Sequence, residues 1–267
     1  MMQSTLVLRL LAVVGAITTA VSGRAAIADE WTTLRGRIVV SGEIPEPEPL
    51  EITRDEEVCG KVGLVDESLV VDGASHGVRN VVIWLYSKND AVPVHESYAE
   101  LKDQPATLNN EDCRFVPRIV TLRTGQVLQA TNSDPVSHNV AVYGRRNSPF
   151  SIVVPQNQPL ERIFQREELL PLRVDCSIHA WMKAYIVVTE HPYAVATDQE
   201  GRFELRNVPN GKWQFRFWHE RPGYIKSLTQ GDTSIALERG IWEVGLQGGE
   251  LDLGELSVDA AMFSPED

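Results

Sequence analysis

Hydrophobic and polar positions alternate in short runs along most of the chain. "LRGRIVVSG" (34–42), "VRNVVIWLYS" (78–87), "HNVAVYG" (138–144), "LERIFQ" (160–165), "LPLRVDC" (170–176) and "MKAYIVVTE" (182–190) each predict a strand. "CRFVPRIVTLRTGQVLQATN" (113–132) predicts two more about Thr124 and Gly125. Later, Phe203 and Leu205, then Trp213, Phe215 and Phe217, alternate between turn signals at Asp198–Gly201 and Pro209–Gly211. "IWEVGLQGGELDLGELSV" adds two runs about Gly248 and Gly249. No long 3.6-residue period appears, so helix is expected only as a minor element around Glu96–Leu101. The pattern is that of an all-β chain, with no long-period repeat and no low-complexity tract beyond the loop "GEIPEPEPLEI".

The first thirty residues break the alternation. Arg9 precedes an apolar stretch that ends near Ala26-Ile27-Ala28, a small-x-small cleavage pattern. This predicts a secretory signal peptide cut after Ala28; the alternative is an N-terminal anchor, for which the run is short of the ~20 apolar residues a spanning helix needs. No later segment is apolar enough to cross a bilayer, so no stable membrane insertion is expected after cleavage. Export to the periplasm or beyond also sets an oxidising environment for cysteine.

The formal net charge is −12, and losing the leader removes Arg9 and Arg24 and no acid. Nucleic acid is thereby a poor partner. The acids are spread over "PEPEPLE", "RDEE" and "GGELDLGE", as on a solvated surface, and a surface of that sign favours basic partners.

Chemistry concentrates in "VDCSIHAWMKAYIVV" (174–188). The chain has 3 Cys, 4 Met and 6 His, yet Cys176, His179 and Met182 fall together as C-x2-H-x2-M between two predicted strands. Each alone reads as ordinary: a buried thiol, a surface imidazole, a core thioether. Together they offer one thiolate, one imidazole and one thioether, and a copper site of this kind needs a second imidazole from elsewhere. "NSDPVSHNV" supplies one at His138, at the start of a strand that a sandwich can bring beside the later loop. Asn139 is placed to hydrogen-bond that loop. His76, His95, His191 and His219 lie in turns or at strand ends without such company; His219 with Glu220 is a weaker pairing for a second metal.

"NSDPVSHNV … DCSIHAWM" resembles the cupredoxin (blue copper) family, and the two-residue gaps about His179 are similar to the short ligand loop of amicyanins. "CRFVPRIVTLRTGQVLQATNSDPVSHNV" also resembles the strand pair before the first histidine in plastocyanin-like proteins. The resemblance covers about 105–190 and implies a Greek-key β-sandwich holding one type 1 copper, with His138, Cys176, His179 and Met182 as ligands. Many relatives carry proline where Ile178 stands, which leaves here a backbone N–H expected to point at the Cys176 sulfur. As the middle ligand of a short loop, His179 is expected to bring its ring edge near the surface, in an apolar patch with Ile178, Ala180 and Trp181.

With Cys176 assigned that way, Cys59 and Cys113 remain, and in an exported chain they suggest a disulfide; two buried free thiols are the alternative. "TDQEGRFELRNVPNGKWQFRFWHE" resembles the carboxypeptidase-regulatory-like, or transthyretin-like, sandwich, a fold compatible with many functions. The expected order is a leader (1–28), an N-terminal β extension (29–104), the copper-type unit (105–190) and a second small antiparallel sandwich (191–267). Because "LRGRIVVSGEIP … VRNVVIWL" also resembles the opening strands of the second sandwich, an alternative has the copper unit inserted into one discontinuous sandwich. The function expected is an exported one-electron carrier, not an enzyme, exchanging electrons with a redox partner protein, possibly basic. The alternative is an envelope module in which copper only stabilises the fold.

Overall fold

The computed structural model describes residues 30–88 and 91–264. The expected signal peptide lies outside them. Among the described residues no helix is long and apolar enough to cross a membrane.

The chain is all-β, as its alternation predicts. The strand Trp31–Ser41 buries every second side chain, and its apolar set, including Leu34, Ile38 and Val40, points to one core. It pairs antiparallel with Arg202–Pro209 and parallel with Gly249–Asp259, the latter in a register that sets Ile38 opposite Leu256 and Val40 opposite Val258. Ser227–Gln230 and Thr233–Ala236 extend this sheet. The facing sheet is ordered Ala194–Ala196, Val82–Tyr86, Gly211–His219, Gly223–Tyr224, with Ile241–Leu246 also on Gly211–His219. Gly201 is required where the two segments meet: its φ is +78°, and a Cβ there would lie 2.1 Å from the Ile38 carbonyl oxygen.

Strands from 31–87 and strands after 194 thus share both sheets and one hydrophobic core. The pairing follows the discontinuous arrangement, in which the intervening segment is inserted into one sandwich. A separate N-terminal extension does not describe this pairing, because the first strand's hydrogen-bonded neighbours, Arg202–Pro209 and Gly249–Asp259, both lie in the C-terminal segment.

The inserted segment forms two sheets of its own. One is ordered Ile119–Arg123, Lys183–Thr189, Leu172–Asp175, His138–Val142, Phe150–Val154; the other is Arg114–Val116, Ala106–Glu111, Val127–Asn132, Leu160–Ile163. Their core is built from Leu108, Leu128, Val140, Val174, Ile186 and their neighbours. Alternation alone did not announce Ala106–Glu111 or Phe150–Val154, and the helix expected at Glu96–Leu101 is two short 3-10 turns, Glu96–Tyr98 and Leu101–Asp103.

Two contacts lock the sandwiches together. Val82 and Trp84, on the outer face of their strand, pack with Trp218 against Ile119 and Val187. Beside them Arg118 and Glu220 form a buried bidentate ion pair; removing one partner of such a pair costs about 3–5 kcal/mol. A third link is covalent. Cys59 and Cys113 are disulfide-bonded, joining the one-turn helix Glu56–Cys59 to the inserted unit, and loss of such a link costs roughly 2–5 kcal/mol.

Two buried imidazoles set the acid limit of the fold. Burial pushes His219 down to about 3, with Arg118 and Arg221 adding to the effect, and His191 down to about 4, again mainly by burial. Both stay neutral in the fold while the unfolded chain protonates them below their ordinary value of 6.5. The unfolded state then binds more protons, so stability falls as pH falls from about 6.5 toward 4. Urea unfolding across that window should lose about 1.4 kcal/mol per pH unit for each histidine. His219→Gln should flatten the slope, and an unchanged slope would show that this ring is not held neutral.

Candidate metal centre

The register of three adjacent strands assembles the site. Leu172–Asp175 lies antiparallel to His138–Val142, with Asp175 opposite Ala141, and antiparallel to Lys183–Thr189, with Asp175 opposite Lys183. Cys176, one step further on, therefore comes beside the start of the first strand and Met182 beside Cys176 across the hairpin mouth. The connecting loop is tight, with the Met182 N–H donating to the His179 carbonyl at 3.0 Å.

Three of the predicted residues converge. Donor atoms of His138, Cys176 and His179 lie within 4.8 Å of one another, all buried. His179 Nδ1 is 3.0 Å from His138 Nδ1 and 3.8 Å from Cys176 Sγ. Met182 is buried in the same core cluster as Cys176. Two donors that each sit ~2.0–2.3 Å from one ion are at most about 4.5 Å apart, so the imidazole and sulfur spacings fit a single small cation. The donor set is soft, one sulfur and two imidazoles, as copper or zinc prefers.

The sulfur and both rings are held from outside. Cys176 Sγ accepts hydrogen bonds from the backbone N–H of Asn139 (3.3 Å) and of His179 (3.4 Å). Asn139 ties strand to loop: its Oδ1 accepts from Ser177 N–H and Oγ–H, and its Nδ2 donates to Ser151 Oγ. His138 Nε2 meets Asp134 Oδ2 at 2.8 Å, and the same carboxylate accepts the backbone N–H groups of Asp112 and Cys113. His179 Nε2 meets Asp55 Oδ2 at 2.8 Å. With a cation between the rings and the outer nitrogens donating to the carboxylates, both Nδ1 lone pairs would face the centre. Burial holds the His138 imidazole below its ordinary value, His179 adds to that, and Asp134 opposes it.

Two expectations change. Among the described residues the sulfur's backbone donors are Asn139 and His179; Ile178 makes no such bond and packs instead at the edge of the core. His179 does not reach the surface, being fully buried. Asp55 lies over its outer edge, while the Trp181 ring lies tilted beside it, ring centroids 5.1 Å apart, and donates its Nε1–H to the Cys113 carbonyl. Ala180 is exposed. Of the two acids that sequence reasoning missed, Asp134 sits inside the quoted "NSDPVSH". Asp55 carries no local signal; only its place four residues before a disulfide-bonded cysteine points to it.

No family model matches the chain, and no curated protein matches it. Solved structures do. A copper-containing nitrite reductase from Thermus scotoductus is 17% identical, with 39% of this chain and 25% of that one covered and a TM-score of 0.30. A purple cupredoxin from Nitrosopumilus maritimus is 19% identical over 32% of this chain and 97% of its own, TM-score 0.27. Amicyanin from Paracoccus versutus is 19% identical over 40% of this chain and 96% of its own, TM-score 0.29. The chain thus spans a quarter of the reductase. Likenesses of this size do not carry function from one protein to another, and the chemistry here rests on the residues themselves.

The Asn139 bridge generates a prediction independent of any metal. Asn139→Ala should cost about 1 kcal/mol, since it removes hydrogen bonds to Ser177 and Ser151 whose freed groups remain open to water, and should speed hydrogen exchange at the Ser177 amide. Exchange unaltered at Ser177 would show that the loop holds its shape without the bridge.

Proposed function

We propose that the chain is an exported mononuclear copper protein that acts as a one-electron carrier. The observation that supports this most is the convergence of Cys176 Sγ with the Nδ1 atoms of His138 and His179 in a buried pocket. Copper held there by His138, Cys176 and His179 would supply exchange between Cu(I) and Cu(II). The chain's part is to keep the ligands still: the hairpin register fixes Cys176 and Met182, the two carboxylates fix the rings, and two N–H donors moderate the charge on sulfur. In this reading Met182, buried in the same cluster as Cys176, would add a thioether to the sulfur and the two imidazoles, and the protein would pass electrons without transforming a substrate. The Cys59–Cys113 disulfide suits an exported, periplasmic or secreted, setting, and the negative net charge would steer a basic redox partner.

A second reading has one observation in its favour. His179 is fully buried, whereas rapid electron exchange is helped by a ligand edge close to the partner. An envelope module that binds copper without cycling it would have no use for such an edge.

The copper-loaded oxidised protein should show an intense visible thiolate-to-copper band and a matching EPR spectrum at one copper per chain. Cys176→Ser should abolish the band while the far-UV spectrum stays that of β-sheet. Colour that survives the substitution would sink the ligand assignment. Failure of the loaded copper to reduce and reoxidise reversibly at constant metal content would instead move the conclusion to the structural module.

A further inference from the structure

Residues 43–67 leave the first sandwich and return as a strap over the metal centre. Its ends are tied to each other: Leu50 N–H donates to Leu64 O and Asp66 N–H to Glu48 O, both short. Its apolar underside, Leu50, Ile52, Val58 and Leu64, packs on Val136 and Trp181. Its middle is bonded covalently to the inserted unit at Cys59–Cys113.

Asp55 stands at the start of the strap's single helical turn, where an aspartate ordinarily accepts from the helix's own free N–H groups. Here its side chain makes no such cap. The backbone sits in the left-handed region, φ 47° and ψ 42°, which Asp tolerates better than most residues. Its carbonyl accepts from Val58 and Cys59, while the carboxylate turns away from the helix to His179 Nε2 at 2.8 Å. The His179 side chain is 0% exposed and that of Asp55 41%, so this carboxylate lies between the ring's outer nitrogen and the surface.

We infer that Asp55 is a positioning residue of the metal centre: pinned by the Cys59–Cys113 disulfide, it fixes His179 with Nε2 protonated and Nδ1 facing Cys176, and closes the centre to solvent. The inference deepens the copper reading, but its first two readouts do not depend on it. The disulfide serves both rings. On one side it holds the helix that carries Asp55; on the other, the N–H of Cys113 donates to Asp134, which in turn holds His138. Breaking it should therefore loosen His179 most and His138 less, because Asp134 keeps its second amide, that of Asp112.

The test uses the full mature chain and four variants: Asp55→Ala, Asp55→Asn, the paired Cys59→Ala/Cys113→Ala, and Glu56→Gln as a neighbouring-charge control. In metal-free protein, long-range 15N NMR of the imidazoles should find His179 protonated at Nε2 with a slowly exchanging proton. Asp55→Ala should lose that protection. Asp55→Asn, which keeps an oxygen acceptor, should retain the tautomer, and this split would not arise if the residue only shaped the strap. With Co2+ as probe, Asp55→Ala and the cysteine pair should bind about 10–100-fold more weakly, and Glu56→Gln unchanged. In copper-loaded protein Asp55→Asn should raise the reduction potential, since a lost negative charge no longer favours the oxidised ion. A wild-type His179 protonated at Nδ1, or NMR and Co2+ affinity indifferent to Asp55→Ala, overturns the inference. If both readouts respond while copper gives no thiolate band, the positioning role stands and the copper-carrier reading falls.

Discussion

Burying two imidazoles with their Nδ1 atoms together commits the surrounding chain to satisfying their outer nitrogens. His138 and His179 bring their Nδ1 atoms within 3.0 Å and have no exposed surface, so each Nε2–H needs an acceptor inside the protein, at a cost of about 1–3 kcal/mol if it finds none. Asp134 and Asp55 answer that need. Much of the local architecture then follows. Asp134 is steadied by two backbone amides and by the Asn132 side chain, which accepts its N–H. Asp55 must be brought from a segment far away in sequence and held there, which is what the strap and its disulfide do.

The strand pattern was legible most clearly where one face meets a core and the other does not, as in Trp31–Ser41, since period two follows from that. Val82–Tyr86 and His138–Val142, by contrast, are buried on both faces and read as short apolar runs. The pattern also delivered the ligand loop: Cys176, His179 and Met182 lie in a hairpin whose flanking runs alternate cleanly, and the first histidine opens one of those apolar runs. Ala106–Glu111, with its polar "ATLNNE", and Phe150–Val154 were harder to see, because their pairing is decided by neighbours and not by their own hydrophobicity. The insertion was ambiguous for a different reason. A first strand looks the same whether its partners are local or arrive two hundred residues later, and the pairings with Arg202–Pro209 and Gly249–Asp259 decide it.

The site was half legible. Ligand types and spacing are local properties, and reading them required no fold. The Asp55 carboxylate and the burial of His179 are properties of long-range contact, and the error over Ile178 shows how. An N–H next in line to a loop histidine is a reasonable donor to the sulfur in the abstract. The hairpin register instead presents the amides of Asn139 and His179, one of which belongs to a different strand. Sequence proximity named the wrong donor because the sulfur's surroundings are set across the sheet.

The cover over His179 bears on what such a centre can do. A ring edge at the surface admits a partner closely but also admits water and exogenous ligands. A ring edge under a carboxylate gives up proximity for a fixed tautomer and a dry interior, where electrostatic effects on the site are stronger. In the carrier reading the Asp55 carboxylate, 41% exposed and hydrogen-bonded to Nε2, would lie between the ring and a partner. That cover belongs to a strap carrying Glu48, Glu51, Glu56 and Glu57 against Arg54 and Lys61, so a partner meeting His179 there would meet an acidic surface supplied by the N-terminal segment.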